Sequence, residues 1–295
     1  MSTKISGNTQ LIGLIANPAK HSLSPLLHNS GFSFLDLDFI YMAFEVEKDG
    51  LEDSINAIRS LKMKGANIST PYKQAVVPFL DKISQAASLI GAVNTIVNDN
   101  GILTGHMTDG IGFMKSLGES KVDICGKKIT IAGAGGAATA ISIQAALDGA
   151  NEISIFSRKN GKSFVNAKKT LSIINSQTKC EAKLFPLEDK IALKRELEES
   201  VLFINGTTIG MKPLENKTII DDASLLKQPL IVADLVYSPI KTRLLREADA
   251  AGCQTINGLG MLLYQASEAF KLWTGKEMPL EEVSDMYFKT ISGGE

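Results

Sequence analysis

The stretch Lys128-Ile129-Thr130-Ile131-Ala132-Gly133-Ala134-Gly135-Gly136-Ala137-Ala138 decides how this chain is read: an apolar run feeds a glycine-rich turn and then a helix of small residues. Gly133 permits a tight turn, Gly135 lets the backbone approach a pyrophosphate, and Ala138 replaces a third glycine where helix and strand pack closely. The phosphates would face a helix N-terminus, whose N–H groups and dipole favour anions. Ala140, Ile141, Ile143 and Leu147 supply an apolar helix face, Gly149 can end it, and a second strand follows. The expectation is a dinucleotide site, against the plainer alternative of a close-packed strand-turn-helix with no ligand.

Cofactor choice is read roughly 20 residues further on, where an acid favours the ribose of NAD and a base the 2′-phosphate of NADP. The chain there reads Phe156-Ser157-Arg158-Lys159-Asn160, with no acid. Arg158 and Lys159 can bind phosphate, while Ser157 and Asn160 can hydrogen-bond a free ribose hydroxyl. NADP is favoured and NAD stays open.

On both sides of this unit short apolar runs alternate with helical patterns, the signature of an α/β protein with mainly parallel sheets. Leu11–Ala16, Phe39–Phe44 and Gly65–Ile68 read as strands before it; Glu152–Phe156, Val201–Asn205 and Leu230–Leu235 continue the alternation after it. At 295 residues, two domains are expected, with a boundary between Asp109 and Lys121. Leu259, Leu262, Leu263, Ala266, Ala269, Phe270 and Trp273 recur at three-and-four spacing, an amphipathic helix with Gly275 as its stop.

With 31 basic and 32 acidic residues, nothing in the charge balance points to nucleic acid or an anionic membrane. The three cysteines are scattered and form no ligand cluster with His21, His28 or His106, so no metal site is expected and a reduced compartment fits. The Leu11–Ala16 run is too short for a signal-peptide core or a membrane span, which makes a cytoplasmic protein the expectation.

Asn67-Ile68-Ser69-Thr70-Pro71-Tyr72-Lys73 reads as a strand followed by a helix start, with Thr70 as N-cap, Pro71 first in the helix and Lys73 in the first turn. The positive end of a helix dipole disfavours a cation there, by roughly 0.3–1 kcal/mol, which suits a group that exchanges a proton. A solvated surface lysine is the plain alternative. In Asn17-Pro18-Ala19-Lys20-His21-Ser22-Leu23-Ser24-Pro25, Ser24 is a good N-cap and Ser22 is left over, so two hydroxyls beside a helix N-terminus can cradle a carboxylate. Gly91–Thr95 and Gly105–Gly110 read by themselves as turns, and His106 as a structural histidine.

Together these runs, with Thr108-Asp109-Gly110, Asn205 to Met211, Val236-Tyr237-Ser238-Pro239 and Gly258 to Leu262, resemble the shikimate dehydrogenase family, and more closely its quinate/shikimate dehydrogenase branch. The resemblance spans nearly the whole chain. It implies an N-terminal α/β substrate-binding and catalytic domain over 1–112, completed by C-terminal helices over 259–295, and a Rossmann domain over 113–258. It also implies reversible NAD(P)-dependent oxidation of shikimate to 3-dehydroshikimate, in aromatic amino acid biosynthesis. Lys73 and Asp109 would be the catalytic pair, a Lys–Asp dyad. Ser22, Ser24, Ser69, Asn94, Tyr237 and Gln265 would surround the substrate. Gly133, Ala134, Gly135, Gly136, Ala137, Ser157, Arg158, Lys159, Asn160, Leu235 and Gly258 would line the dinucleotide.

Two positions depart from the family pattern. Many members carry threonine where Ser69 stands and asparagine where Met107 stands. Ser69 lacks a methyl and leaves room for the additional hydroxyl of quinate, so both substrates are expected to be accepted by a monomer or homodimer. Met107 offers no donor. Two other readings stay open: a related two-domain dehydrogenase acting on a folate, and a non-catalytic dinucleotide sensor.

Overall fold

The computed structural model describes residues 5–20 and 22–292. The chain divides into two units, one formed by the described residues of 1–108 and 265–295, the other by 109–264. The first begins with β1 (Gln10–Ala16), α1 (Ser24–Phe34), β2 (Phe39–Glu45), α2 (Leu51–Ser60), β3 (Gly65–Ile68), β4 (Lys82–Ile83), α3 (Gln85–Ile90), β5 (Thr95–Asp99) and β6 (Ile102–His106). The second holds α4 (Asp109–Glu119), β7 (Lys128–Ala132), α5 (Gly136–Leu147), β8 (Glu152–Ser157), α6 (Lys162–Gln177), β9 (Glu181–Pro186), α7 (Lys190–Glu199), β10 (Leu202–Asn205), β11 (Ile231–Asp234), α8 (Arg243–Ala250) and β12 (Thr255–Ile256). Helix α9 (Gly258–Thr274) is divided between them, and α10 (Leu280–Ser292) belongs to the first.

The compact units divide after Thr108 and after Tyr264, within a few residues of the domain bounds expected from the sequence. Helix α4 goes whole with the second unit because it packs on α5: a Cβ on Gly110 would lie 2.7 Å from the Ala140 carbonyl oxygen. The start of α9 is held there too, with a Cβ on Gly258 falling 2.2 Å from the Leu235 carbonyl oxygen.

The first unit's sheet has the order β2-β1-β3-β5-β6-β4. β1 runs parallel to both β2 and β3, whereas β5 is antiparallel to β3 and β6. The reversal is local: Asn100 and Gly101 both take positive φ, 53° and 95°, and a two-residue turn of that hand joins only antiparallel strands. At the outer edge, Asn29 of α1 donates to the Tyr41 carbonyl (2.9 Å) and accepts from the Tyr41 N–H (2.8 Å). Behind the sheet, His28, Phe32, Tyr41, Phe270 and Trp273 form a buried aromatic cluster. The Trp273 indole donates to the Ile96 carbonyl at 2.9 Å, which only a glycine at 65 allows, since a Cβ there would sit 2.5 Å from that indole nitrogen.

The second unit's sheet is parallel throughout, in the order β12-β11-β10-β7-β8-β9. This is the doubly wound Rossmann order, whose reversal between β7 and β10 opens a crevice at the strands' carboxyl ends. One face packs around Phe156, Leu193, Phe203, Val232 and Leu245. Near the opposite strand ends Glu196 is buried and accepts from Lys128 (2.7 Å), Arg195 (2.7 Å) and Ser154 (2.6 Å).

Candidate functional site

In the first unit the predicted substrate groups follow from strand ends. β1 and β3 run parallel, β5 runs against them, and β6 runs with them again. The residues after β1, β3 and β6 and those before β5 therefore share one edge of the sheet. Ser22 and Ser24 come after β1, Ser69 and Lys73 after β3, Asn94 before β5, and Thr108 after β6. Backbone bonds tie these segments: Ser69 N–H to Ile15 O (3.0 Å), Val93 N–H to Lys73 O (2.8 Å) and Asn94 N–H to His106 O (3.0 Å). Ser22, Ser24, Ser69, Lys73 and Gln265 are partly exposed, while Asn94 is buried.

No helix begins at Pro71. Residues 70–76 form turns, followed by a short 3₁₀ segment at Val77–Phe79. Tyr72 N–H bonds the Ser69 carbonyl at 2.8 Å, closing a turn, and the Lys73 carbonyl is taken by Val93 rather than by a residue one turn on. Pro78 has no N–H with which to continue a helical ladder. The dipole ground for Lys73 is thus removed, and its candidacy rests on its place in the motif. The α1 cap is shifted as well. Leu23 is the N-cap residue and makes no side-chain cap; Ser22 Oγ accepts the Ser24 N–H at 3.2 Å, so Ser22 serves the helix start and Ser24 lies inside it. His21, in the same motif, lies outside the described residues.

Sequence reasoning missed the polar network beneath this edge. Asn94 Oδ1 accepts the Thr108 N–H at 2.9 Å, and the Thr108 hydroxyl reaches the Gln265 carbonyl at 3.1 Å, which links the strand ends to α9. Asn67, buried in β3, donates to the Asn94 carbonyl (3.0 Å) and to Thr95 Oγ1 (3.1 Å), and accepts from the Tyr41 hydroxyl (2.7 Å). An asparagine inside the run Gly65-Ala66-Asn67-Ile68 was the available signal, because a buried amide needs partners. Met107 is buried core. His106 is half-buried, which lowers its pKa, and its carbonyl bonds Asn94, in keeping with a structural residue.

In the second unit Gly133 takes φ +109°, and a Cβ there would meet the Gly206 carbonyl oxygen at 2.6 Å. Gly135 precedes α5 with no side-chain cap on the helix, and built Cβ atoms on Gly135 and Gly136 meet nothing within 4 Å. The first turn of α5 thus offers N–H groups beside open space, as a pyrophosphate needs. At the end of β8 the Ser157 hydroxyl is buried without a hydrogen-bond partner, and Arg158, Lys159 and Asn160 follow it, all exposed. An orphaned hydroxyl beside two cations suits a ribose and a phosphate. The residues present fit an NAD(P) cofactor.

Leu235 follows β11 and its N–H bonds the Asn205 carbonyl at 3.0 Å. Asp109 opens α4 and is buried; a carboxylate is favoured at that helix end. Tyr237 is 44% exposed on the loop after β11. Lys73 and the serines therefore belong to the first unit, and Asp109, Tyr237 and the glycine turn to the second. Among the described residues no group of His, Cys, Asp and Glu is placed to hold a metal ion, and no helix is long and apolar enough to cross a membrane.

Residues 14–96 match the shikimate dehydrogenase substrate binding domain, and residues 258–284 the shikimate 5′-dehydrogenase C-terminal domain. The chain is 54% identical over 288 residues to a shikimate dehydrogenase (NADP(+)) of Listeria monocytogenes serotype 4b, covering 98% of this chain and 99% of that one. The chain belongs to the shikimate dehydrogenase family. Among solved structures of similar proteins, a Listeria monocytogenes shikimate 5-dehydrogenase in complex with shikimate and NAD has a TM-score of 0.95 at 53% identity, covering 98% of this chain and 99% of that one. A quinate dehydrogenase from Corynebacterium glutamicum in complex with NAD has a TM-score of 0.86 at 29% identity, covering 95% and 99%. Membership gives the two-domain α/β architecture of this family its context: the all-parallel second unit is its Rossmann-type domain.

Proposed function

We propose that this protein is a shikimate dehydrogenase, reversibly oxidising shikimate to 3-dehydroshikimate with NADP, or with NAD, as a step of aromatic amino acid biosynthesis. The observation that carries this is the 54% identity to the Listeria enzyme over 98% of the chain, which spans both units. The oxidation removes a hydride from a secondary alcohol carbon and a proton from its hydroxyl. The nicotinamide, when bound, supplies the hydride acceptor.

The chain's own residues do the rest. The N–H groups of Gly133 to Ala137 would hold the pyrophosphate, Ser157 and Asn160 the ribose, and Arg158 and Lys159 a 2′-phosphate, and Leu235 and Gly258 would also line the dinucleotide. Ser22 and Ser24 bind the substrate carboxylate, and Ser69, Asn94, Tyr237 and Gln265 orient its hydroxyls. The Lys73–Asp109 dyad, treated as one coupled unit, takes the hydroxyl proton during oxidation and returns it during reduction. The substrate-binding domain of 1–112 with 259–295, and the cofactor domain of 113–258, divide these tasks.

Quinate is a second substrate on this reading. Ser69 has no methyl where many members carry threonine, and a quinate dehydrogenase lies among the similar structures. Initial rates of nicotinamide reduction with shikimate and quinate, each paired with NADP and NAD, test all of this. Turnover of shikimate with NADP is expected. Tight cofactor binding without turnover of any pair would replace the enzyme by a sensor, and shikimate turnover without quinate oxidation would remove the second substrate.

A further inference from the structure

Two buried side chains of the second unit tie its two central loops together. Asn205 ends β10 and Asp234 ends β11, opposite each other in the parallel register, and each is 1% exposed. Asn205 Nδ2 donates to Asp234 Oδ1 and to the Ile209 carbonyl, both at 3.0 Å. Its Oδ1 accepts the Thr207 N–H at 3.1 Å and the Thr207 hydroxyl at 2.7 Å. The amide has one orientation, since a flipped one would set oxygen against a carboxylate and a carbonyl. The two oxygens of Asp234 have separate duties. Oδ1 accepts from Asn205 and from the Val236 N–H, each at 3.0 Å. Oδ2 accepts the Thr242 hydroxyl at 2.7 Å, and Thr242 in turn caps α8 by accepting the Leu245 N–H at 3.3 Å. One oxygen thus serves the loops and the other the helix.

Both loops bear on groups that fit the dinucleotide. Gly206, directly after Asn205, bonds the Ala132 carbonyl through its N–H at 2.7 Å. Its own carbonyl oxygen is what a Cβ on Gly133 would strike at 2.6 Å, and a Cβ on Gly206 would lie 2.7 Å from Ala138 Cβ. The glycine turn and the start of α5 are therefore fitted against this loop without room for a methyl between them. Leu235, directly after Asp234, has its carbonyl oxygen 2.2 Å from a Cβ built on Gly258, and the Gly258 N–H bonds the Val236 carbonyl at 3.2 Å. We propose that Asp234 is a positioning residue for the dinucleotide, acting through Asn205 and the Val236 N–H to hold the loops after β10 and β11 where the glycine turn and Leu235 can receive NADP. The proposal rests on the NAD(P) reading of the same unit. Asp234 itself touches no ligand on this view, and its bond to Thr242 concerns only α8.

Equilibrium binding of NADPH and of NADH to the full chain, followed by cofactor fluorescence without substrate, tests this alongside thermal midpoints. Asp234→Ala leaves Asn205 and the Val236 N–H without their acceptor and should raise both dissociation constants about tenfold, the scale of a lost hydrogen bond to a charged group. The NADPH-to-NADH ratio should stay within about twofold, because Arg158 and Lys159 follow β8 rather than these strands. Asp234→Asn keeps an oxygen at the Oδ1 place with its NH2 towards Thr242, and should bind within about threefold of wild type. Thr242→Val removes the α8 cap; it should lower the midpoint and leave both dissociation constants within about twofold. Asn205→Ala breaks the same link with the carboxylate in place, so it should weaken binding at least as much as Asp234→Ala and replaces it as the test if that variant does not fold. The double variant should cost no more than the larger single. Wild-type affinity in Asp234→Ala or Asn205→Ala overturns the proposal while leaving the cofactor reading standing. Affinity lost by Thr242→Val in step with its midpoint reduces Asp234 to a packing residue and overturns it as well. No binding of either cofactor by the wild type would remove the parent reading and this proposal with it.

Discussion

The His28 imidazole lies flat against the Tyr41 phenol, with ring centroids 4.5 Å apart and planes 16° from parallel, and neither ring nitrogen makes a hydrogen bond of ordinary geometry. Burial is the main cause that holds its pKa down, at about 3, with a smaller opposing pull from Asn67. The unfolded chain takes up a proton at His28 below about pH 6.5, whereas the folded chain refuses it until about pH 3. Stability contributed here is therefore lost as pH falls through that window, by ~1.4 kcal/mol per pH unit. Tyr41, the titratable group facing the ring, stays protonated throughout. Thermal midpoints of wild type should fall between pH 7 and pH 5, and His28→Phe should flatten that fall. An unchanged slope in the variant would assign the acid sensitivity elsewhere.

A second acid-sensitive group acts lower on the scale. Burial pushes the Glu196 carboxyl up, but Lys128, Ser154 and Arg195 together hold it down at about 2. Its pKa is depressed in the folded state, so its contribution is full above the ordinary carboxylate value and is lost as pH falls from about 4.5 towards 2. Glu196→Gln should lower the midpoint at pH 7 and bring it closer to that of wild type at pH 3. Equal deficits at both values would contradict the ion-pair account.

Lys73→Ala should reduce kcat by at least about a hundredfold, the usual worth of a positioned acid or base, with the fold unchanged by circular dichroism. Turnover within a few-fold of wild type would remove the Lys–Asp dyad. Lys73→Arg is no substitute: a guanidinium keeps the charge but does not give up a proton.

Arg158 and Lys159 follow β8 and are exposed. Replacing both by alanine should raise the KM for NADP about tenfold, the scale of a lost hydrogen bond to a charged group, while the KM for NAD stays within about twofold. Equal effects on both cofactors would mean that the two cations do not select the 2′-phosphate.

Gly65→Ala should be among the costlier single substitutions in the first unit. A methyl there meets the Ile96 carbonyl oxygen at 2.1 Å and the Trp273 indole nitrogen at 2.5 Å, and overpacking of this kind costs about 3 kcal/mol. Urea unfolding provides the check, and a midpoint unchanged from wild type would show that α9 can shift away freely.

What the sequence made legible was what is local. The glycine turn, its flanking strands and the helix of Leu259 to Trp273 are each dictated by neighbours a few residues apart. The Pro71 segment departs from the helix start that its sequence predicts because its backbone is claimed by Val93, whose N–H bonds the Lys73 carbonyl, a partner that no helix-start pattern can reveal. The β5–β6 hairpin was recoverable, since Asn100-Gly101 is a strong hairpin signal. The Tyr41–Asn67 hydrogen bond was not, because it joins two different strands. The candidate site was read mainly through its motifs, and the network behind it only through the fold.

Asn29 has a consequence beyond its two bonds to Tyr41. Strand β2 is an outermost strand of seven residues, Phe-Ile-Tyr-Met-Ala-Phe-Glu, apolar enough to recruit a strand from another molecule. With an amide side chain imitating the missing neighbour at Tyr41, an incoming strand finds that residue's N–H and carbonyl already taken. A single asparagine on a helix thus ends the growth of the sheet and guards the protein, during folding and afterwards, against stacking edge to edge into aggregates.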